Sequence, residues 1–283
     1  MLAQSANYEG NDSRVAGTAG GLAGSSVAKW FAMRTKLRVL GRLAAIAWTA
    51  LEFWCAYIWL YLRSRGTPSK RRRAEWLQRC CAKTLARIGV TCTAEGTPPT
   101  AGMIVSNHVS YLDIFVISGA VPCVFVAKKE IESWPLFGMM SHFAGTVFVD
   151  RERFADIHRA GGEIEQVIAE GVVAVLFPEG TSSDGNQVLP FRSPFFEFAG
   201  ATGASLTPAH VSYQVKDGEA GREVAYWGEM AMAPHVLNLF AKKQISARLR
   251  FGERVESGAD RKQTAVMMRE QVVRLSELER QPI

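Results

Sequence analysis

After Pro98 and Pro99, short apolar runs alternate with longer segments of helical periodicity, and this alternation is the feature that most constrains the fold. Strands separated by helices are typical of a parallel sheet, because each helix carries the chain back to the start of the next strand. We therefore predict an α/β domain with a largely parallel central sheet flanked by helices. The predicted strands are 103–106, 123–127, 146–149, 172–177, 206–212 and 247–251, and the predicted helices are 111–118, 134–143, 154–169, 193–201 and 260–279.

The N-terminal part contains an apolar run of twenty residues, 43–62, with a single charged residue, Glu52. At about 1.5 Å per residue, a helix of this length covers roughly 30 Å, the thickness of a hydrocarbon core. Basic residues flank the run on both sides, so the positive-inside rule gives no orientation. The next segment, 70–88, has the basic amphipathic pattern of an interfacial helix. We predict a membrane-embedding helical hairpin with both ends on the cytoplasmic face; a single span and a buried helix of a soluble domain remain alternatives.

The sequence thus predicts three regions. Residues 1–36 form a flexible tail, whose first part is rich in Gly, Ala, Ser and Asn without any period. Residues 37–90 form the membrane-associated two-helix region, and residues 91–283 form the α/β domain. The net charge is +6, and much of the basic excess lies in residues 29–73 beside the apolar run. This arrangement favours membrane lipids as partners and argues against nucleic acid.

His108 follows the predicted strand 103–106, and Asp113 lies five residues further along the chain. Histidine is the natural general base near neutral pH, and an aspartate bonded to one ring nitrogen fixes its tautomer. Residues five apart on a helix point roughly 140° apart, so the two side chains meet only if His108 precedes the helix and Asp113 lies in its first turn. The alternative is that Ser110 caps the helix and His108 is an ordinary loop residue.

Two more polar segments follow predicted strands. Arg151 comes after the strand 146–149, where it either binds an anion or pairs with Asp150. Glu179, Gly180 and Thr181 follow the strand 172–177. A glycine lets a ligand approach the backbone closely, and a glutamate at a strand end can accept hydrogen bonds from substrate hydroxyls. The alternative for this segment is an ordinary turn with a solvated glutamate.

Taken in order, these segments resemble the four blocks of the glycerolipid acyltransferase family, whose best-known members are bacterial 1-acylglycerol-3-phosphate acyltransferases. The resemblance covers roughly residues 85–215, and the N-terminal hairpin also looks like the membrane-embedding helices of that family. The matching segments are Asn107-His108-x4-Asp113, Gly145 to Arg151, Phe177-Pro178-Glu179-Gly180-Thr181, and Pro208.

The resemblance implies transfer of a fatty acyl group from a thioester, acyl-CoA or acyl carrier protein, to the free hydroxyl of a lysolipid. In this family the thioester is a co-substrate, and no cofactor is required. By the same resemblance His108 is the general base, Asp113 orients it, and the acceptor site comprises Arg151, Glu179, Gly180 and Thr181. The acceptor favoured by the intact Arg151 block is 1-acylglycerol-3-phosphate (lysophosphatidate), which would give phosphatidate for phospholipid biosynthesis.

One position departs from the family pattern. Members that act on lysophosphatidate often carry an arginine directly after the Phe-Pro-Glu-Gly-Thr run, whereas this chain has Ser182. The residues that follow look more like the branch that includes lyso-ornithine-lipid acyltransferases, so a lyso-aminolipid acceptor is the alternative. Arg192, Lys128 or Lys129 are candidates to supply the missing charge.

Other functional classes have less support. An esterase or thioesterase would need a serine elbow, and no serine here lies in a Gly-x-Ser-x-Gly pattern. A non-catalytic lipid-binding protein would not need His108 and Asp113. Neither a disulfide framework nor a metal site is predicted, because the cysteines are odd in number and the remaining histidines lie in separate segments. These residues are Cys55, Cys80, Cys81, Cys92 and Cys123, and His142, His158, His210 and His235.

Overall fold

The computed structural model describes residues 19–133, 137–150, 154–258 and 260–280. Within them, seven strands form one sheet in the order β1-β7-β6-β2-β5-β3-β4, which confirms the predicted α/β fold. The strands are β1 (Val90–Glu95), β2 (Met103–Ser106), β3 (Cys123–Lys128), β4 (Val147–Val149), β5 (Val173–Leu176), β6 (Leu206–Val215) and β7 (Ile245–Phe251). The helices are α1 (Ala19–Arg63), α2 (Lys70–Ile88), α3 (Leu112–Ala120), α4 (Phe137–Ala144), α5 (Phe154–Ala169), α6 (Glu197–Thr202), α7 (Ala220–Glu223), α8 (Met232–Ala241) and α9 (Arg261–Arg280).

All neighbouring strands run parallel except β6 and β7, which are antiparallel. The carboxyl ends of β2, β5, β3 and β4 therefore lie along one edge of the sheet. The sheet separates two apolar cores, and β2 shows how alternation assigns residues to them. Met103 and Val105 belong to the core with α5 and α9, whereas Ile104 belongs to the core with α2 and α3. Helices cover both faces, as parallel sheets require.

Three elements were not predicted, and each lacks the pattern on which prediction relies. β1 pairs with β7 as an edge strand, and beyond Val90 its residues are exposed, so it has no apolar run. α7 is a single short turn. α8 has no side-chain hydrogen bond at its N-cap, and its proline lies inside the first turn.

The N-terminal region differs from the predicted boundaries. α1 begins at Ala19, so residues 19–36 are helical where a tail was expected, and residues 1–18 lie outside the described part. α2 has the predicted bounds, but it packs on the α/β domain and is not an interfacial helix separate from that domain. Its apolar face, including Trp76, Leu77 and Leu85, is buried in the core against the sheet and α3. The predicted division between residues 90 and 91 therefore separates a helix from the core to which it belongs.

Glu52, the charge within the apolar run, is turned toward α2. Its carboxylate lies 2.9 Å from Lys83 Nζ and 2.7 Å from Arg87 Nη1. α1 also exposes large apolar residues, among them Trp48, Leu51, Trp54, Ile58, Trp59 and Leu62. Over Ala32–Arg63 the helix is long and apolar enough to cross a membrane, and no other helix in the described ranges is.

α1 contacts the rest of the molecule along its length. Arg42 Nη1 donates hydrogen bonds to Phe240 O (3.0 Å) and Lys242 O (2.7 Å), at the C-terminal end of α8, where a cation is favourable. Further along, the Tyr57 ring packs against Trp76 and Phe143, with centroid distances of 5.1 and 4.6 Å. The helix thus lies along the surface of the α/β domain.

Candidate active site

His108 and Asp113 meet at the end of β2. β2 ends at Ser106 and α3 begins at Leu112, so the histidine lies in the loop and the aspartate in the first helical turn, as the spacing of five requires. His108 Nδ1 is 2.7 Å from Asp113 Oδ2. With Nδ1 donating to the carboxylate, Nε2 carries the lone pair and can accept a proton.

Asp113 is fully buried, and hydrogen-bond donors hold both of its oxygens. The backbone N–H groups of Val109 and Ser110 donate to Oδ2 at 2.7 and 3.0 Å. The phenol of Tyr213, from β6, donates to Oδ1 at 2.6 Å. The carboxylate is therefore fixed in orientation before any substrate binds.

The His108 ring is stacked on Phe177, with a centroid distance of 4.2 Å and an interplanar angle of 18°. Phe177 comes directly after β5, the neighbour of β2 in the sheet. The histidine side chain is 23% exposed, and Nε2 has no hydrogen-bond partner in the described part of the chain. Asp113 thus contacts one ring nitrogen and Phe177 one ring face, and Nε2 is left available to accept a proton.

The loop after β5 is bonded to the loop after β2, which carries His108, and to the segment that follows the loop after β5. Ser183 N–H donates to His108 O (2.9 Å), and Arg192 N–H donates to Pro178 O (2.8 Å). Gly180 adopts φ +76°, and a Cβ there would lie 3.0 Å from Arg192 Nε. Glycine is thus required both by the left-handed backbone and by the close approach of the arginine side chain.

Glu179 lies beneath this loop, only 2% exposed. Its Oε1 accepts a hydrogen bond from Leu189 N–H (3.2 Å), while Oε2 has no partner among the described residues. Burial raises the pKa of Glu179 to about 8; the negative charge of Asp113 adds to this, and the N–H groups of Leu189 and His108 oppose it. The solvated turn considered above is thus excluded, and direct contact between this carboxyl and a substrate hydroxyl stays a prediction.

Thr181 is exposed at the tip of the same loop, but Ser182 is engaged with the α7–α8 connection, residues 224–231. Ser182 Oγ donates to Tyr226 O at 2.5 Å. Tyr226 N–H in turn donates to Val109 O at 3.0 Å. The connection therefore joins the loop after β5 to the loop after β2.

The predicted cationic groups are only partly assigned. Arg151 lies outside the described residues, so its predicted contact with the acceptor stays a prediction. Lys128 and Lys129 are exposed at the end of β3, which lies between β5 and β4. The Arg192 side chain lies against Gly180, and among the described residues no acceptor is hydrogen-bonded to its guanidinium.

Sequence reasoning missed Tyr213 and Tyr226, which contact Asp113 and Val109 from 100 or more residues downstream. For Tyr213 a clue was present, because alternation along β6 places it on the same buried face as Ala209 and Val211. A tyrosine on a buried strand face needs a partner for its hydroxyl. No clue in the sequence marks the backbone of Tyr226 as part of the site.

Across the described ranges, no group of three or more His, Cys, Asp or Glu side chains could hold a metal ion. His235 is part of a separate network, in which it faces the Tyr111 hydroxyl at 3.0 Å and Ala225 O at 2.9 Å. Burial lowers the pKa of His235, which favours the neutral ring.

The fold and the site can now be compared with known proteins. Residues 89–212 match the acyltransferase family model. Among similar relatives, the lyso-ornithine lipid O-acyltransferase of Brucella abortus is 33% identical over 83% of this chain and 91% of its own. That of Rhizobium meliloti is 31% identical over 70% of both chains. The 1-acyl-sn-glycerol-3-phosphate acyltransferase of Neisseria meningitidis is 29% identical over 77% of this chain and 83% of its own.

A solved structure supports the same fold. The crystal structure of the 1-acyl-sn-glycerophosphate acyltransferase from Thermotoga maritima superimposes with a TM-score of 0.64 at 19% identity, covering 89% of this chain and 99% of that one. The sequence relatives show that this chain belongs to the acyltransferase family and is a lysolipid O-acyltransferase.

Proposed function

We propose that His108 is the general base of this transfer and that Asp113 orients it. The observation that carries the proposal is the short Nδ1–Oδ2 contact, which leaves a partly exposed Nε2 at the carboxyl end of β2. Nε2 takes the proton of the acceptor hydroxyl while the oxygen attacks the thioester carbonyl. When the tetrahedral intermediate collapses, the C–S bond breaks and the imidazolium returns the proton to the leaving thiolate. The thioester, acyl-CoA or acyl carrier protein, enters as co-substrate, and the scheme uses no cofactor.

The base role is tested by His108→Ala, which we expect to lower kcat by about 10²–10⁴-fold, the usual cost of losing a general base. Circular dichroism and membrane binding should match the parent, because the ring is partly exposed. Asp113→Asn should also lose most of the rate, since it disturbs the tautomer. Activity of His108→Ala within a few-fold of the parent would refute the mechanism.

For the acceptor we propose a lyso-ornithine lipid. Ser182 stands where an arginine would bind phosphate, and its hydroxyl is committed to Tyr226 O. Relatives named as lyso-ornithine lipid O-acyltransferases are similar to this chain over most of their length. Lysophosphatidate, the acceptor that the sequence favoured, is the second candidate. It is supported by the Arg192 side chain beside Gly180 and by the relatives that act on 1-acyl-sn-glycerol-3-phosphate.

A direct comparison distinguishes the two acceptors. Purified full-length protein is incubated with labelled acyl-CoA and either lyso-ornithine lipid or lysophosphatidate at equal mole fraction in mixed micelles. We expect a higher kcat/KM with lyso-ornithine lipid. A higher value with lysophosphatidate would reverse the assignment, and repeating both arms with acyl carrier protein identifies the donor.

The long apolar helix and the lipid-modifying relatives indicate a membrane-associated enzyme. We propose that the catalytic domain lies on the cytoplasmic face, where acyl thioesters are available. The pairing of Glu52 with α2 supports a helix that lies along the domain with only its outer side in the lipid.

A further inference from the structure

Tyr213 is the only described donor to Asp113 Oδ1, and it comes from an element remote from the catalytic loop. The other oxygen, Oδ2, receives His108 Nδ1 and two backbone N–H groups. Rotation of the carboxylate about its Cβ–Cγ bond moves both oxygens, so a contact at Oδ1 adds to the hold of the contacts at Oδ2. The 2.6 Å bond from the phenol to Oδ1 supplies that second anchor. It also disperses negative charge away from the side that faces the histidine.

The position of Tyr213 relative to the dyad is itself fixed by Asn107. The amide Nδ2 of Asn107 donates to Val211 O (2.9 Å), and its Oδ1 accepts from Val211 N–H (2.8 Å). Val211 and Tyr213 lie two residues apart on the same face of β6. The asparagine before His108 thus ties the catalytic loop to β6 in one register, at the distance at which the phenol reaches Asp113.

We propose that Tyr213 is a positioning residue of the catalytic dyad, acting through Asp113 Oδ1, and that Asn107 serves to hold β6 in the register that this contact needs. The inference rests on the proposed role of His108 as base. It predicts that the tyrosine affects the rate of the chemical step and its pH dependence, but not acceptor binding. Burial raises the pKa of Tyr213 well above its ordinary value, so the hydroxyl keeps its proton and stays a donor.

The groups that can titrate near this contact are few. Asp113 bonds His108 from the first turn of α3, and Tyr213 bonds Asp113 from β6. Glu179 lies within electrostatic range of Asp113 from beneath the loop after β5. Tyr213 is also within electrostatic range of Cys92 on β1 and Tyr111. Burial raises the pKa of Tyr111 well above its ordinary value and also raises that of Cys92, so neither is expected to ionise near neutral pH.

The test is Tyr213→Phe, which keeps the ring and removes only the hydroxyl. We expect kcat to fall roughly 10- to 100-fold, which corresponds to about 1.4–2.7 kcal/mol on the activation barrier. KM for the acceptor should stay within twofold. The acidic limb of kcat/KM should move to higher pH, because a less dispersed carboxylate attracts the imidazolium more strongly. A parental kcat and pH profile in a folded variant would overturn the proposal.

Two further variants distinguish a positioning role of Tyr213 from a general loss of structure. Tyr111→Phe removes another partly buried hydroxyl, which bonds His235 instead of the dyad, and its pH profile should match the parent. Site-specific 3-fluorotyrosine at position 213 keeps the packing and makes the phenol a stronger donor, so the acidic limb should move to lower pH. This second variant decides the question if Tyr213→Phe fails to fold, since an unmoved limb would then count against the proposal.

The double variant His108→Ala with Tyr213→Phe distinguishes failure of this inference from failure of the base assignment. If the tyrosine acts through the dyad, the double variant should be no slower than His108→Ala alone. If His108→Ala is itself active, the base assignment fails. A further loss on top of an inactive His108→Ala would instead show that Tyr213 acts by another route.

Discussion

Glu179 is a carboxyl group enclosed by protein, with one oxygen bonded to Leu189 N–H and the other without a described partner. Because its pKa is about 8, most copies hold a proton at pH 7. A neutral carboxyl in this position can donate a hydrogen bond as well as accept one. The residue that the sequence suggested as an acceptor for substrate hydroxyls is therefore also a possible donor within the loop after β5.

This protonation predicts a pH dependence of stability. In the unfolded chain Glu179 ionises near its ordinary value of 4.5, whereas in the fold it keeps its proton up to about 8. Between these values the folded state binds more protons, so this group's contribution to the free energy of unfolding falls as pH rises. Glu179→Gln has no such loss. We expect its Tm, relative to the parent, to rise steadily from pH 5 to pH 8 in detergent micelles.

The matched control for this measurement is Glu229→Gln, which removes an exposed glutamate from the α7–α8 connection. Its Tm should run parallel to that of the parent over the same range. If the Tm of Glu179→Gln also runs parallel to that of the parent, the buried carboxyl is ionised in the fold at neutral pH.

At the level of single residues, the sequence predicted those parts of the site that lie close together in the chain. The spacing of five was enough to place His108 before α3 and Asp113 inside it, because helix geometry allows no other meeting. Tyr213 could not be assigned in this way. Its contact with Asp113 depends on the order β6-β2 in the sheet, and that order does not follow from local patterns.

At the scale of elements, the α7–α8 connection bonds to Ser182, the position at which the sequence departs from the pattern that the resemblance implied. Tyr226 bonds to the loops after β2 and β5 through its backbone N–H and carbonyl, so any residue except proline, which lacks the N–H, would keep those bonds. The Ser182 hydroxyl donates to Tyr226 O and is therefore part of this junction between the loops after β2 and β5.

This junction gives a prediction about acceptor preference. Ser182→Arg should lower KM for lysophosphatidate, because a guanidinium can pair with a phosphate in a bidentate manner. A contact kept in both ground and transition states changes KM with little effect on kcat. With lyso-ornithine lipid we expect little gain, since that acceptor has no phosphate monoester.

Ser182→Ala is the control, because it loses the bond to Tyr226 O without adding charge. A KM for lysophosphatidate that falls equally in both variants would attribute the change to a loosened junction. If the parent already prefers lysophosphatidate and arginine brings no improvement, another cation binds the phosphate. Arg192→Gln would then be the first truncation to measure, since its side chain lies against Gly180.

Elements with strong periodicity were predicted closely, whereas those determined by tertiary contacts were not. The pattern of α5 gave its bounds as Phe154–Ala169, and β2 likewise matched at Met103–Ser106. β1 forms a strand because it pairs with β7 at the edge of the sheet, whereas its own residues show little alternation between buried and exposed positions. For α2 the predicted bounds were right, but the predicted membrane-surface environment was wrong. Amphipathicity does not reveal whether a protein core or a lipid surface covers the apolar face of a helix.

At the scale of the whole molecule, the contacts of α1 limit how it can meet a bilayer. It touches α8 through Arg38 and Arg42, and it touches α2 and α4 through Tyr57. From Arg38 to Tyr57 the axis covers roughly 28 Å, close to the full thickness of a hydrocarbon core. A helix that crossed the membrane over this stretch would draw the domain in with it. The contacts favour a helix lying at the interface.

Cysteine labelling in sealed vesicles tests this arrangement. Single cysteines replace Lys36 and Arg65, on either side of the apolar run, in a background in which the native cysteines Cys55 and Cys92, which are exposed, are changed to serine. We expect an impermeant maleimide to modify both positions from the cytoplasmic face and neither from the other face. Labelling of the two positions from opposite faces would establish a single span.

The exposed apolar side of α1 also determines which acceptor concentration matters to this enzyme, namely the one within the lipid surface. An acyltransferase held at a lipid surface meets its acceptor by diffusion in two dimensions, whereas a water-soluble thioester arrives in three. Its rate then follows the mole fraction of lysolipid among its neighbours, and adding inert lipid slows the reaction even when the total amount of acceptor is unchanged. The product remains in the same surface, so every turnover dilutes the substrate that is left.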